Sequence, residues 1–475
     1  MQDRKQRAKE LREVGQLLSQ SIETLASEWE HDGTCNGAEN GARPAGVSQV
    51  QYDASRTIQA CIGSLTSLVT SPHTRLTSLA MSYTIARALH LAVEHNIPEL
   101  LAQSGDDGTS AATLAASTGL DTGKLSRVLR ALASHHVFKE VSEGRFANNH
   151  VSEALIGNSS LRSLIQVQSR ISFTASAYLT STLSSPESGH SYDSRNAAFQ
   201  QAIGKNQSIF DWMQEKVPES AESLAPLLYR NKATSQTTFK NSDCPTGKLV
   251  SRPELALFHE AMKGLSRGQF ATYDFPWESL NETATVVDVG GGIGSFCMEL
   301  HAAHPKLNLI VQDRGPVVQQ GIAAWNATYP QALAQGKIQL TVHDFFDKNP
   351  VLGADVYWLR YIIHDWPDAE AIAVLSQIAK SMGPNSRLLI ADVVMNTTLG
   401  SSEIESAPEP LLKNYGQAMS FTHMMDINIM TMVNGIERTP AELRVVAAAS
   451  GLAIQKIWSC RGPLSIVECR LPVCS

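Results

Sequence analysis

Apolar residues recur at every third or fourth position near the start of the chain, a spacing that is typical of amphipathic helices. The first such stretch covers residues 8–30, and its apolar stripe consists of Leu11, Val14, Leu18, Ile22, Leu25 and Trp29. The stripe is too short for a long coiled coil, so it predicts a helix that docks on the body of the protein or on a partner chain. Residues 32–47 hold four glycines and one proline and predict a linker, after which helical patterns resume near 52–70 and 75–96.

Residues 109–156 predict two short helices followed by a β-hairpin that turns at a Glu-Gly pair. This order of elements is the winged-helix plan. If the module binds DNA, Lys124, Arg127 and Arg130 of the second helix face phosphate groups. If the module serves dimerisation, they are ordinary surface cations, and the acidic charge of the whole chain favours this second interpretation.

From residue 284 onward the chain alternates β-branched runs with helical patterns. Five strands are predicted at ATVVDV, LNLIVQ, KIQLTV, ADVYWL and SRLLIADVV, with helices near 294–304, 315–327 and 368–382 between them. This alternation predicts the α/β class, with a Rossmann-like, doubly wound parallel sheet. Two late runs near 453–459 and 464–469 are expected to add edge strands.

Residues 180–253 carry the weakest pattern in the chain. Two stretches rich in Ser, Thr and Asn flank a predicted helix that contains Phe210, Trp212 and Met213. They are interpreted as surface loops or an insertion.

Composition and charge narrow the class of protein. Hydrophobic residues make up 43% of the 475 residues and charged residues 18%, a balance that supports a large core and excludes a disordered chain. No apolar run is long enough to span a bilayer, and the charged N-terminus lacks the apolar region of a secretory signal. The seven cysteines are scattered without a CxxC pair, which favours reduced thiols in the cytoplasm and no metal site. A net charge of −7 argues against nucleic acid as a partner.

A glycine cluster follows the first predicted strand of the sheet, at Gly290, Gly292 and Gly294. Such a cluster serves either tight packing or the close approach of the backbone to a ligand. Its spacing differs from the GxGxxG of dinucleotide enzymes. Asp313 ends the next strand, where an acid either caps the following helix or accepts both hydroxyl groups of a ribose. The combination favours an adenosine-type ligand.

Two further strands end in polar residues at the same edge of the sheet, where open α/β sheets bind ligands. Asp344 and Phe345 follow the third strand and suit an adenine amino group and a stacked ring. Arg360 and then His364 follow the fourth. An imidazole is the usual base for removing a proton near neutral pH, provided that a carboxylate orients it.

These motifs together resemble one enzyme family. The DVGGGIG loop, the QD and HDFF strand ends, LRYIIHDW, and ERTPAEL followed by AAASGL are similar to S-adenosylmethionine-dependent O-methyltransferases of the plant caffeate and flavonoid type and their fungal secondary-metabolite relatives. The resemblance spans most of the chain, and the winged-helix segment resembles the dimerisation domain of that family. As a set the motifs are highly specific, whereas no single motif is.

The resemblance implies a role for individual residues. The positions that hold the methyl donor are Gly290, Gly292, Asp313, Asp344, Phe345 and Arg360. His364 matches the catalytic base, and Asp392 and Glu437 match the two acids that bracket it. The acceptor pocket matches Phe258, Met262, Met430 and Asn434, for which ordinary core packing is the alternative.

Two departures from the family pattern concern the site. Arg360 stands where the plant enzymes usually have Lys, which keeps the charge but changes its geometry. Asp392 stands where they usually have Glu, and the missing methylene leaves open an indirect or reassigned contact with His364.

The resemblance also implies a division of the chain and a reaction. The expected regions are an N-terminal helix and linker at 1–50, a winged-helix-like dimerisation domain at 51–180, a helical connector at 181–265, and a donor-binding Rossmann-like domain at 266–475. The expected protein is a cytoplasmic homodimer that methylates a phenolic or polyketide-type small molecule, without nucleic acid or membrane as a partner. Two alternatives remain at this point: a donor-binding relative that catalyses a dehydration or pericyclic step, and a winged-helix DNA-binding regulator. The presence of His364 and Glu437 favours methyl transfer.

Overall fold

The computed structural model describes residues 4–34, 47–218, 249–266 and 270–472. These residues form two compact units, of which the first falls within 1–70, 192–194 and 268–475 and the second within 71–191 and 195–267. Most of the predicted linker, and residues 219–248 of the weakly patterned segment 180–253, lie outside the described residues. The four regions expected from the sequence stay predictions. No helix in the described part of the chain is both long and apolar enough to cross a membrane.

The elements are numbered in chain order. The strands are β1 (Thr109–Ser110), β2 (Phe138–Ser142), β3 (Arg145–Asn148), β4 (Lys216–Pro218), β5 (Leu249–Ser251), β6 (Thr285–Val289), β7 (Asn308–Asp313), β8 (Ile338–Val342), β9 (Val356–Arg360), β10 (Arg387–Val393), β11 (Ala453–Ser459) and β12 (Leu464–Arg470). The helices are α1 (Arg4–Thr34), α2 (Gln49–Val69), α3 (Pro72–Met81), α4 (Tyr83–Glu94), α5 (Ile97–Ala102), α6 (Ala111–Thr118), α7 (Thr122–Ser134), α8 (His150–Glu153), α9 (Ser159–Val167), α10 (Phe173–Ser176), α11 (Leu179–Ser184), α12 (Ala198–Ile203), α13 (Ile209–Gln214), α14 (Pro253–Ser266), α15 (Ala271–Asp274), α16 (Ser295–Ala303), α17 (Gly315–Thr328), α18 (Pro330–Ala334), α19 (Asp368–Ala379), α20 (Ser420–Val433) and α21 (Pro440–Ala449).

A seven-stranded sheet in the order β11-β12-β10-β9-β6-β7-β8 forms the centre of the first unit. The five strands β6 to β10 are mutually parallel, and β12 and β11 add an antiparallel edge beside β10. The predicted strands, crossover helices and edge strands are confirmed. Because β6 lies between β7 and β9, the strand order reverses there, and the carboxyl ends of β6 and β9 border the crevice in which such sheets bind ligands.

Both faces of the inner strands β6, β9 and β10 are buried, which explains why these strands read as continuous apolar runs. Side chains alternate between the faces, so Trp358 packs on one side with Phe296 while its neighbour Leu359 packs on the other. The rings of Phe296 and Trp358 stack with centroids 4.2 Å apart and planes 8° apart. This stacked pair holds α16 against the sheet, and the helix begins directly after the glycine cluster.

The N-terminal helices α1 and α2 belong to the first unit. Val14 and Cys61 are fully buried and share a core with Leu411 and Tyr415, so the predicted docking of α1 on the body of the protein is confirmed. Arg56 of α2 lies over the Tyr415 ring, 3.8 Å from its centroid, and donates a hydrogen bond to its hydroxyl at 3.0 Å. The apolar stripe is used only in part, because Trp29 is 63% exposed.

The second unit contains the predicted helix pair and hairpin. Helices α6 and α7 precede the antiparallel strands β2 and β3, and β1 pairs with the other side of β3. Leu125, Leu129 and Leu132 of α7 are buried in the core of this module. Arg130 donates to the carboxylate of Glu140 at 3.1 Å, so this cation has a partner within the module. The helix predicted around Trp212 is present as α13.

We expect Leu389→Ala to lower the free energy of unfolding by about 2–5 kcal/mol, because Leu389 is fully buried in the inner strand β10. The matched control Leu399→Ala changes a side chain that is 88% exposed and should stay within about 0.5 kcal/mol of the parent. Urea unfolding followed by tryptophan fluorescence measures both variants. Equal losses of stability would contradict the packing described for β10.

Candidate active site

The glycine cluster after β6 forms a loop that leaves no space for a side chain at Gly290. Gly290 has a φ of 72°, and a Cβ placed there would lie 2.6 Å from the Ile362 side chain and 3.7 Å from the Phe345 ring. Its N–H donates to the Gln312 carbonyl at 2.8 Å, which ties the loop to the end of β7. Gly292 has open space where a Cβ would be. The loop therefore presents bare backbone at the carboxyl ends of three strands.

Asp313 lies at the end of β7 with its carboxylate held by this loop. One oxygen accepts from the Gly292 N–H at 2.8 Å and the other from the Arg314 N–H at 2.7 Å. A carboxylate has about four acceptor positions, so each oxygen of Asp313 can accept a second hydrogen bond. The geometry thus leaves room for a pair of hydroxyl groups.

Asp344 and Phe345 follow β8 in the predicted place. Asp344 is exposed, and one of its oxygens accepts from the Phe346 N–H at 3.0 Å. The half-buried Phe345 ring packs against Phe346 and meets Trp366 edge to face, with centroids 6.1 Å apart. These rings form an aromatic wall beside the glycine loop, a suitable surface for a heterocycle.

Asp288 is a residue of this region that the sequence analysis missed. Its buried carboxylate lies under the loop, so that a Cβ on Gly291 would come within 2.5 Å of it, and the Cys297 thiol donates to it at 3.5 Å. Burial raises the pKa of Asp288 to about 6, while the positive charge of Arg360 opposes the shift. The available signal was an acid inside an otherwise apolar strand.

His364 is buried at 7% exposure in a short 3-10 turn, Ile363–Asp365, that follows β9. Its Nδ1 lies 2.8 Å from Oε1 of Glu437. Because a carboxylate can only accept, Nδ1 carries a hydrogen and Nε2 is the nitrogen left for base chemistry. Nε2 lies 3.7 Å from Oδ1 of Asp365. The structure therefore brings the predicted base and one predicted acid into direct contact.

Asp392 lies close enough to act on His364 through its charge, and no hydrogen bond joins the two. Among the described residues neither of its oxygens has a hydrogen-bond partner, although the side chain is only 4% exposed. The nearby Tyr361 N–H donates to the Ala391 carbonyl at 3.1 Å, and it also approaches the Asp392 carboxylate and opposes the rise of its pKa. Burial raises the pKa of Asp392 to about 6, and the charge of His364 opposes this shift.

The protonation of His364 reflects a balance between burial and its acidic neighbours. Burial alone would lower the pKa of the imidazole, but the carboxylates of Asp365, Glu437 and Asp392 outweigh it and raise the pKa to about 10. In the state described here the ring is therefore positively charged at neutral pH. The predicted base is held in its protonated form.

Arg438 is a second residue that the sequence analysis missed. It is 2% exposed and donates to the carbonyls of Ile363 and Trp366 at 2.8 and 2.7 Å, and to the Asp368 carboxylate at 2.9 Å. These bonds fix both ends of the turn that carries His364. The only sequence feature that pointed to a role for Arg438 was its position directly after Glu437 in the ERTP motif.

The residues assigned to the acceptor pocket are distributed over both units. Met430 is half-buried on α20, and Asn434 ends that helix with a φ of 52° while its side-chain amide donates to the Asp193 carbonyl at 2.8 Å. Phe258 and Met262 lie on α14 of the second unit, where the Phe258 ring is 6.4 Å from that of Phe210. Asn434 thus has a local structural role.

Comparisons with known proteins identify the family. Residues 256–453 match the O-methyltransferase domain and residues 77–158 the O-methyltransferase dimerisation domain. The O-methyltransferase tpcA of Aspergillus fumigatus is 40% identical, over 98% of this chain and 97% of its own. The chain belongs to the O-methyltransferase family. The O-methyltransferase gedA of Aspergillus terreus is also 40% identical, over 97% of this chain and 96% of its own.

The fold agrees with this membership. The mitomycin 7-O-methyltransferase MmcR superimposes with a TM-score of 0.60 at 25% identity, covering 84% of this chain and 98% of that chain. The predicted family, fold class and O-methyltransferase activity are confirmed, with S-adenosylmethionine as the methyl donor. Methyl transfer is thereby favoured over the dehydration or pericyclic step and over the DNA-binding regulator that the motifs left open.

The residues present fit such a donor. The backbone around Gly290 admits a ligand where no side chain fits, and the Asp313 oxygens each keep an acceptor position for ribose hydroxyl groups. Phe345 and Trp366 provide an aromatic surface for adenine. The strand ends that carry these groups lie at the point where the sheet order reverses.

We expect Glu437→Gln to lower the pKa of His364 by roughly one to three pH units, because the substitution removes a carboxylate that favours the charged imidazole. NMR titration of ring-labelled histidine measures this pKa, and His364→Asn assigns the signal. The control Glu370→Gln removes an exposed acid on α19 and should leave the titration unchanged. An unaltered pKa in Glu437→Gln would show that the Nδ1 contact does not hold the proton.

Proposed function

We propose that this O-methyltransferase methylates a phenolic hydroxyl group of a small, polyketide-type metabolite, with His364 as the general base. The observation that carries the proposal is the buried contact of 2.8 Å between His364 Nδ1 and Glu437, which orients the ring and makes Nε2 the nitrogen that can exchange a proton with the acceptor. Phenols suit such a base because their pKa near 10 leaves them protonated at neutral pH, and they become strong nucleophiles when the proton leaves.

The chain acts mainly by positioning and by moving one proton. S-adenosylmethionine, when bound, supplies an electrophilic methyl group on a positively charged sulfur. Nε2 of His364 accepts the hydroxyl proton as the acceptor oxygen attacks, and Glu437 stabilises the imidazolium that forms. Arg438 keeps the turn in place through its bonds to Ile363 and Trp366. Alignment is worth roughly 7–11 kcal/mol in reactions of this kind.

We assign the donor to the glycine loop and the strand ends beside it. The backbone at Gly290 and Gly292 and the Asp313 carboxylate are assigned to the amino-acid and ribose parts, and Asp344 with Phe345 to the adenine. Arg360 is assigned to the same site as a positive group, and it lies near enough to Asp288 to oppose the rise of that carboxyl's pKa.

We assign Met430 and Asn434 of the first unit to the acceptor pocket. Met430 is placed to contact an apolar ring, while Asn434 shapes the end of α20 through its bond to the Asp193 carbonyl. Phe258 and Met262 of α14, in the second unit, stay predictions for the acceptor pocket. The mitomycin 7-O-methyltransferase among the structural neighbours acts on a small molecule, which supports an acceptor of this size. The cytoplasmic location favoured by the cysteine pattern stays a prediction.

We expect His364→Ala to keep the affinity for S-adenosylmethionine and to lower turnover by about 10²–10⁴-fold, the usual range for loss of a general base. Calorimetry measures donor binding, and mass spectrometry with labelled donor measures methyl ether formation on candidate phenols. The control His150→Ala alters an exposed histidine of the second unit and should keep full turnover. Lost donor binding with normal turnover of the bound complex would contradict the assignment of the base.

We further propose a homodimer that covers the exposed apolar face of α3 and the start of α4. Leu76, Leu79 and Tyr83 are 55–68% exposed at helical spacing, and α3 has no buried residue of its own. The match to the dimerisation domain begins at residue 77, within this helix. A second copy of the chain is the occupant that both observations support.

We expect the double substitution Leu76→Glu and Leu79→Glu to halve the mass measured by light scattering, because charges on this face oppose its burial. Thr74→Glu places a charge on the same helix outside the apolar face and should leave a dimer. A parent protein that is monomeric at micromolar concentration, or a double variant that stays dimeric, would contradict the proposal.

A further inference from the structure

Three carboxylates surround a single imidazole at the carboxyl edge of the sheet. Asp365 comes from the turn after β9, Asp392 from β10, and Glu437 from the segment after α20. Asp392 and Glu437 are 4% and 3% exposed, and His364 is 7% exposed. We name these three acids and His364 the carboxylate cage. Even with a protonated ring, the cage holds more negative than positive charge.

Part of this negative charge has no hydrogen-bond partner. Oε2 of Glu437 is buried without a partner among the described residues, and the Asp392 carboxylate has only the weak approach of the Tyr361 N–H. Buried carboxylate oxygens are normally paired, because their loss of hydration is costly. Buried oxygens of this kind, at an edge of the sheet that binds ligands, indicate that a positive group arrives with the ligand.

Among the described residues, the buried cation Arg438 beside the cage does not supply that charge. Arg438 is directed at the carbonyls of Ile363 and Trp366 and at Asp368. Asp426 of α20 accepts the Glu437 N–H at 3.0 Å and is itself an acid. The Tyr361 ring lies 5.3 Å from the His364 ring and carries no positive charge.

We propose that the proton on His364 and the positive sulfur of the methyl donor are alternative cations for the carboxylate cage, so that at mildly alkaline pH donor binding expels the His364 proton and creates the free base. The inference rests on the proposed function, because it takes His364 as the base of methyl transfer. It goes beyond that function by giving the donor a second role: the donor sets the protonation state of the residue that later accepts the substrate proton.

The charge of the cage and its ligand is then the same at each stage. Before the donor binds, His364 carries the extra proton; once the donor is bound, that proton is in solvent and the sulfonium carries the positive charge. During methyl transfer the acceptor hydroxyl proton moves to Nε2 of His364, the methyl group bonds to the acceptor oxygen, and the sulfur keeps the electron pair of the broken S–C bond. His364 is again the cation and the sulfur is neutral. The net proton of the reaction therefore leaves at donor binding.

The distances that the reaction requires are compatible with this exchange. A base and a reacting hydroxyl lie within about 3 Å of one another, and reacting atoms meet at about 3–3.5 Å, so the sulfonium lies roughly 6–8 Å from Nε2. At this range in a partly buried site, one positive charge lowers the pKa of another group by roughly two pH units. Without donor, the cage raises the pKa of His364 to about 10. The pKa of His364 is therefore expected to fall from about 10 without donor to about 8 with donor, so donor binding releases the proton between these pH values.

The test is the number of protons released when donor binds the full-length protein without acceptor. Calorimetry in two buffers of different ionisation enthalpy counts these protons for S-adenosylmethionine and for S-adenosylhomocysteine, whose sulfur is neutral. Near pH 9 we expect S-adenosylmethionine to release about 0.8 proton more than S-adenosylhomocysteine, and His364→Asn to abolish the difference. The matched control His150→Asn should retain it.

A second variant separates the cage from any proton on the ligand itself. Asp392→Asn removes one carboxylate that raises the pKa of His364, so the whole pH range of excess proton release should move to lower pH by about one unit. A proton lost from the amino group of the ligand would not move in this way. This comparison also applies if His364→Asn fails to fold.

Equal proton release for the two ligands, or an excess that survives in His364→Asn and does not move in Asp392→Asn, would overturn the inference. Methyl ether formation is measured separately with labelled donor and candidate phenols. If methyl ether forms without excess proton release, the proposed function stands and the inference is wrong. If excess release occurs and no hydroxyl compound is methylated, the exchange stands and the acceptor assignment is wrong.

Discussion

The buried guanidinium of Arg438 is the contact on which the catalytic arrangement depends. It joins the turn after β9 to the segment after α20, two parts of the chain that are about seventy residues apart, by hydrogen bonds to two carbonyls and one carboxylate. The same segment donates the Ile436 N–H to the His364 carbonyl at 2.8 Å and brings Glu437 to the imidazole. Since the proposed base, its acidic partner and Arg438 lie on two short segments, buried hydrogen bonds between these segments set the geometry of the site.

Several buried acids of the site lower the free energy of unfolding of the protein. Asp288, Asp365 and Asp392 are acids whose pKa is raised by burial, so each makes the folded state less favourable at neutral pH than an exposed acid would. His364 has the opposite sign: its raised pKa contributes stability fully below about pH 6.5, and this contribution is lost as the pH rises through about 10. Titratable groups with strongly shifted pKa values, some destabilising and one stabilising the folded state, are typical of functional sites.

Most of the sheet and much of the site could be predicted from the sequence, because both depend on local patterns. The inner strands are buried on both faces and therefore read as apolar runs, and Gly290 sits where the backbone needs a positive φ and no Cβ. What could not be predicted depends on contacts between distant residues. Nothing in the sequence indicates that Arg438 is buried, that both oxygens of Asp392 lack a partner, or that the amide of Asn434 is bound to the Asp193 carbonyl.

The docking of α2 has a consequence for how acceptor preference can change. Tyr415, which Arg56 covers, lies in the stretch between Asp392 at the end of β10 and Met430 on α20. That stretch therefore has one side packed against the N-terminal helices and continues into residues assigned to the acceptor pocket. Substitutions in α2 at this contact would act on the stretch that leads to the proposed pocket, and they would leave the sheet and the proposed donor residues in place. The packing of the N-terminal helices is thus a separate means of altering that stretch, distant in sequence from His364.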